Sequence, residues 1–337
     1  MSLTRCAVFR NLVLVSSLAK PPRVPASVVT ASIHARSAVT STAASLSTAM
    51  YIAEERGSAY SPDYRVYFKD ESGPISPMHD IPLWADREER LLHMVVEVPR
   101  WSNAKMEISL GEPLNPIRQD VKKGALRFVG NVFPHHGYLW NYGALPQTWE
   151  NPHHVDPRTQ ARGDNDPVDV IEVGDRVAAR GEVLTVRVLG ALALLDEGET
   201  DWKLLAVDVR DPLAARLRDA RDLEAARPGL LRATVEWLRL YKLPEGKPPN
   251  EFAFDARPQG ADFALALVDE LHAFWRALVA GEVPDTTDID TSNVTVEGSP
   301  ARLERAAAAA LLAAAPPRAL PQPLPAAVDK WHFVSSL

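Results

Sequence analysis

Three carboxylates stand within six residues in Gly163-Asp164-Asn165-Asp166-Pro167-Val168-Asp169-Val170, just ahead of an apolar run. Left unpaired, they would repel one another and raise each other's pKa values. The cluster is tolerable where water solvates it or where hard cations sit in it, because Mg2+ and Ca2+ prefer oxygen ligands. On an extended chain Asp164 and Asp166 fall on one side, and Pro167 bends the path before Asp169. An acidic surface turn is an even rival on these residues alone, since Gly, Asp, Asn and Pro all favour turns. An EF-hand loop fails, because Asp169 stands where it needs Gly and Asp175 where it needs Glu. A second run, Asp196-Glu197-Gly198-Glu199-Thr200-Asp201-Trp202-Lys203, places four acids in six residues between two apolar stretches, hence at strand ends. Two such clusters on one face would form a multi-cation site.

Groups suited to an anion are scattered between them. Lys105 shares a strand face with Glu107, Arg127 follows the basic turn Lys122-Lys123-Gly124, and Tyr241-Lys242 closes a helical pattern before Pro244. Taken singly, each reads more simply as an exposed charge or a lysine at a helix C-terminus. The pairs His135-His136 and His153-His154 invite a zinc reading, but adjacent histidines point apart on a strand and no ligand-spaced partner follows. Cys6 is the sole cysteine, which removes disulfides, zinc–thiolate sites, iron–sulfur clusters and cysteine nucleophiles from the body of the chain.

Positioning these residues falls to short strands first and helices later. Strand patterns cover residues 64–69, 94–98, 105–109, 168–173, 177–179, 183–194 and 204–207, with Gly, Pro and Asp between them. Helical spacing of apolar residues covers 228–241, 261–280 and, in an Ala-rich form, 302–315. Residues 320–326 alternate with prolines as an extended surface strap. The pattern is α+β, mainly β, and its spacing favours a small antiparallel barrel over βαβ units.

Charge divides the 337 residues unevenly. Residues 1–53 carry five basic residues and no acid, or +5, while 54–337 carry 32 basic and 44 acidic residues, or −12. An acidic body disfavours nucleic acid as a partner, since phosphate contacts need positive charge. No apolar run is long enough to span a membrane. The lead is rich in Ser, Thr and Arg and empty of acids, the composition of an organellar transit peptide. A secretory signal is weaker, because Ser16, Ser17 and Lys20 interrupt the apolar stretch. The expected division is therefore a lead at 1–53 and one catalytic domain at 54–337. Import into the mitochondrial matrix ranks ahead of the plastid, and a cytoplasmic location follows if the lead is no import signal.

At its acidic run the sequence resembles the family I soluble inorganic pyrophosphatases in their longer eukaryotic form. Asp164-Asn165-Asp166-Pro167-Val168-Asp169-Val170 looks like the family signature. Residues 95–100, 103–107, 124–128, 133–138, 141–143, 194–203 and 241–242 match in order and spacing, from about Tyr60 to Leu337 and most loosely over 301–327. The resemblance implies a five-stranded OB-like antiparallel barrel with flanking helices, hydrolysing pyrophosphate to two phosphates with several Mg2+ ions. Asp164, Asp169 and Asp201 would bind the first activating metal, with Asp169 shared to a second. Glu107, Asp196 and Asp201 would help hold metals that arrive with substrate. Asp166 would be the general base for a water bridging the two activating metals. Lys105, Arg127, Tyr241 and Lys242 would hold phosphate oxygens, and Glu97, Tyr138, Tyr142 and Lys203 would line the site. A homodimer is implied through Arg100, Trp101, His136 and Trp331, whereas pattern alone assigns the two tryptophans to the core. A nucleic-acid-binding OB module would need a basic, aromatic groove. A scaffold that has lost catalysis would need gaps among the carboxylates, and none of the matched positions is vacant.

Overall fold

The computed structural model describes residues 50–283 and 288–334. What was expected of the lead up to residue 49 lies outside them. Five strands pair in a closed circuit: β3 (Leu91–Val98), β6 (Asn141–Ala144), β7 (Asp169–Glu172), β8 (Val183–Asp196) and β9 (Glu199–Asp208). β3 pairs with β6, β6 with β7, β7 with β9, β9 with β8, and β8 returns to β3. Four of these pairings are antiparallel, but β7 and β9 run parallel. The circuit is therefore mixed rather than wholly antiparallel. The physical reason lies in the connection, because β8 lies between β7 and β9 in the chain and the hairpin turn reverses direction into β9.

A second sheet holds β1 (Ile52–Arg56), β2 (Arg65–Asp70), β5 (Ile117–Gln119) and β4 (Met106–Ile108). Ile52 lies opposite Lys69 and Ala53 opposite Phe68, so the paired chain begins ahead of the boundary drawn after residue 53. Charge placed that boundary, whereas sheet pairing uses backbone groups that carry no charge signal. The 177–179 segment is not a strand. Its backbone instead meets the Asn141 side chain, with Ala178 N donating to Oδ1 at 2.9 Å.

Both faces of the β9 strand are buried, which explains the nearly unbroken apolar runs. Leu205 and Val207 join Val95, Ile171 and Leu192 in one layer. Trp202, Leu204 and Ala206 join Val96, Val170 and Ala193 in the other, against Leu267, Val268 and Leu271 of the helix α2 (Ala261–Val279). That 3–4 spacing is what gives α2 its apolar stripe. The helix α1 (Leu230–Leu240) packs Trp237 and Leu238 on the first layer, and α3 (Arg305–Ala314) adds Ala308. The proline-rich strap runs exposed past the start of the fold, with Ala319 N on Gly57 O at 2.8 Å and Gln322 N on Ala59 O at 2.9 Å. Among the described residues no helix is long and apolar enough to cross a membrane.

Candidate active site

The β8–β9 hairpin positions the second acidic run. Glu197 and Gly198 both take positive φ, 51° and 95°, as a tight two-residue hairpin turn demands. Asp196 then faces Glu199, Asp201 faces Leu194 and Lys203 faces Leu192. Period-two alternation keeps Asp201 and Lys203 on one face of β9. The parallel register sets Asp169 of β7 directly beside Lys203, so the two acidic runs meet across one strand pair. Lys203 Nζ donates to both Asp169 and Asp201, and Tyr142 OH donates to Asp169 Oδ2 at 2.5 Å. Gly143 has to be glycine, because a Cβ there would sit 1.9 Å from Val95 O.

The first acidic run turns rather than extends. Asn165 takes φ 76°, Asp166 N donates to Asp164 Oδ1 at 3.0 Å, and Trp149 Nε1 donates to Asn165 Oδ1 at 3.0 Å. Asp164 and Asp166 nonetheless both line the cavity.

Opposite them, Lys105 at the edge of β4 donates to Glu107 at 2.8 Å. The hairpin turn at Lys123 and Gly124 leads to Arg127, which Glu245 at 3.0 Å and Asp120 at 3.1 Å hold in place. Trp237 lies between Tyr138 and Tyr241, both ring centroids 4.9 Å away, and stacks flat on Tyr241. Lys242, just past the helix, donates to Asp196.

All the sequence-derived site residues line one cavity of about 130 Å3: Glu97, Lys105, Glu107, Arg127, Tyr138, Tyr142, Asp164, Asp166, Asp169, Asp196, Asp201, Lys203, Tyr241 and Lys242. Seven carboxylates there face four cationic side chains, an excess of three negative charges when all are ionised. Burial, then Asp201 and Asp166, pushes Asp164 well above the usual carboxylate range. Burial also raises Asp201 to about 7, with Asp169 adding to it against Lys203. Asp166, an exposed residue of the cavity lining, is pushed up to about 7 by desolvation, with Asp169 and Glu107 adding to it against Lys105. Burial pulls Lys203 down, but Asp169 and Asp201 outweigh it and hold the ammonium well above its ordinary range.

Sequence reasoning missed four participants. Asp120 and Glu245 orient Arg127, Trp237 backs the two tyrosines, and the buried Glu150 lies against the acidic loop. One oxygen from each of Glu150, Asp164 and Asp201 falls within 4.8 Å of the others. Glu150 follows a tryptophan with no acidic neighbour, so nothing local flagged it; its role depends on a contact far along the chain.

The remaining four, Arg100, Trp101, His136 and Trp331, lie outside the cavity lining. Trp101 and Trp331 are 56% and 38% exposed, so the assignment of both to the core by pattern is corrected. Trp101 takes φ 64° in a turn, and Trp331 sits on a two-residue strand pairing with Asn131, so neither belongs to a periodic buried face.

The comparisons agree with this geometry. The family model described as inorganic pyrophosphatase matches residues 94–276. An inorganic pyrophosphatase of Drosophila melanogaster is 55% identical over 287 residues, 85% of each chain. The solved inorganic pyrophosphatase of Schistosoma japonicum superimposes with a TM-score of 0.79 at 44% identity, covering 84% of this chain and all of that one. A truncated vacuolar soluble pyrophosphatase of Trypanosoma cruzi, solved in complex with PPi, gives 0.63 at 39% identity over 68% of this chain and 91% of its own. The chain belongs to the inorganic pyrophosphatase family.

Proposed function

We propose that the cavity hydrolyses pyrophosphate to two phosphates by direct attack of water, with Asp166 as general base and Mg2+ as the divalent cation. The observation that carries this is the cavity's lining: seven carboxylates against four cations, which once ionised would repel a polyanionic substrate. Divalent cations reverse that sign, and the donor set suits them, being all carboxylate oxygen with no sulfur or imidazole. Asp164, Asp169 and Asp201 would hold the activating ions, and Glu107 and Asp196 those that enter with substrate. When bound, such ions acidify water and neutralise charge on the phosphates.

The chain's own residues do the rest. Asp166, raised toward neutrality and exposed in the cavity lining, takes the proton from the attacking water. Lys105, Arg127, Tyr241 and Lys242 hold phosphate oxygens, and Lys203 and Arg127 stay charged as negative charge moves to the leaving phosphate. Burial pushes the Tyr138 hydroxyl up to about 12, so it remains a proton donor throughout. Glu97 and Tyr142 line the site from β3 and β6. Phosphate release from pyrophosphate with Mg2+, and its loss on chelation, tests the reading; turnover insensitive to EDTA would sink it.

Two further proposals concern the whole protein. The exposed rings of Phe133, Trp331 and Phe333, with His136 edge-on to Trp331 at 5.9 Å, form an apolar surface suited to a second copy. Arg100 over Trp101 extends it, supporting a homodimer. Trp331→Ser should give a monomer in light scattering, and an unchanged mass would overturn that interface. The acid-free lead supports import into the mitochondrial matrix. A fusion of residues 1–53 to a fluorescent protein that stays in the cytosol would refute it.

A further inference from the structure

Glu150 reaches the acidic loop from outside both acidic runs. Its backbone clasps the loop twice: Glu150 N donates to Asp166 O and Asn165 N donates to Glu150 O, each at 2.9 Å. Gly163 permits the approach, since a Cβ there would stand 2.5 Å from the Glu150 carbonyl carbon. The side chain is 2% exposed. Its Oε1 accepts from Trp202 N at 3.0 Å, while Oε2 is buried with no hydrogen-bond partner among the described residues. A single oxygen of this carboxylate lies within 4.8 Å of one from Asp164 and one from Asp201.

A buried carboxylate oxygen without a donor is costly, and buried polar groups in folded proteins are nearly always satisfied. Among the described residues no cationic side chain hydrogen-bonds to it; Lys203 reaches it through charge alone, against the charges of Asp164 and Asp201. The cluster would be destabilising as a purely structural device. It is favourable around a cation.

We infer that Glu150 is a further carboxylate of the metal centre, helping to hold a divalent cation together with Asp164 and Asp201. This rests on the divalent-cation reading of the cavity. The competing account makes Glu150 a buried acceptor for Trp202 N and nothing more. Glu150→Gln separates the two, because the amide oxygen can still accept from Trp202 N while the charge is gone.

The test uses the full chain and Mn2+ as probe, following free Mn2+ by its paramagnetic resonance signal, with melting temperatures taken in EDTA and in Mg2+. Wild type should bind Mn2+, and Glu150→Gln should bind it about 10- to 100-fold more weakly, the scale seen when residues supporting metal ligands are removed. In EDTA the variant should melt at or above the wild-type temperature, because a like charge has left the cluster, and its gain from Mg2+ should shrink. Glu150→Asp keeps the charge but shortens its reach, and should fall between the two. Wild-type Mn2+ affinity in both variants overturns the assignment and leaves only the structural acceptor. A wild-type protein that binds no Mn2+ overturns the cation reading itself, a different failure that the unmutated control identifies.

Discussion

The two ends of β9 bury the same side chain to the same depth and treat it in opposite ways. Asp208 is 4% exposed and Asp201 5%. Asp208 accepts from Arg210 N and Nε, each at 3.0 Å, and from the guanidinium nitrogens of Arg210 at 2.7 Å and Arg176 at 3.2 Å. Burial alone would raise its pKa, but these donors overcome it and the pKa is lowered. Asp201 has Lys203, which it shares with Asp169, and beside its own carboxylate lie those of Asp164 and Glu150. Its pKa is raised to about 7, by burial first and then by its acidic neighbours. Burial is therefore not what marks the functional end. An unbalanced charge is, because a fold has no reason to collect acids around too few bases unless something else completes the set.

The largest effect should follow from the cavity end. Asp166→Asn keeps the loop's shape and removes the proton acceptor, so kcat should fall by about two to four powers of ten. Mn2+ affinity should stay near wild type, since the proposed role of Asp166 is to take a proton and not to hold an ion. Steady-state phosphate release beside a Mn2+ titration checks both halves; near-normal turnover would remove Asp166 from the role.

Next in size is a pair of substitutions that should move stability in opposite directions. Asp208→Asn breaks paired, buried hydrogen bonds and should cost about 1–2 kcal/mol, the lower part of the range for charged bonds because both arginines remain half in solvent. Asp201→Asn, measured in EDTA, should leave stability unchanged or raise it, while abolishing most of the stabilisation that Mg2+ confers on wild type. Denaturant midpoints for both variants decide the matter. Equal losses at the two ends would mean that the cavity carboxylates are as well satisfied as the salt-bridged ones.

How much of this could be read from the sequence depends on how each residue reaches its place. Asp164, Asp166 and Asp169 are close because they are close along the chain, and Lys105 with Glu107 because strands alternate. Asp196 and Asp201 join them through one hairpin and one strand register, which matching charged positions in order could signal but spacing could not. Glu150 arrives by a backbone clasp over a glycine, and Asp120 and Glu245 by reaching Arg127, contacts that leave no local pattern. The fold divides in the same way. Continuous apolar runs and the α2 stripe announced strands and helices. The parallel β7–β9 pairing, the start of β1 at Ile52 and the loop at 177–179 depend on partners distant in sequence. Trp101 and Trp331 misled because large apolar side chains are usually core, and only the third dimension puts them outside.

The subtlest difference between the ends of β9 should appear as the slope of stability against pH. A carboxylate whose folded pKa lies above its unfolded value near 4 binds more protons folded than unfolded, so stability falls as pH rises between the two. Asp201, raised to about 7, and Asp164, raised well above its ordinary value, should therefore make the metal-free protein less stable as pH climbs from about 4 toward 7. Asp208, lowered, has the reverse sign: its contribution is complete above the unfolded pKa and is lost as pH falls below it. Melting temperatures in EDTA across pH 4–8 should decline toward neutrality, and Asp201→Asn should flatten part of that decline. Saturating Mg2+ should flatten it further, because bound cations hold the carboxylates ionised and remove the difference in proton uptake. A metal-free wild type whose stability rises steadily from pH 4 to 7 would mean that paired carboxylates such as Asp208 govern both ends of the strand.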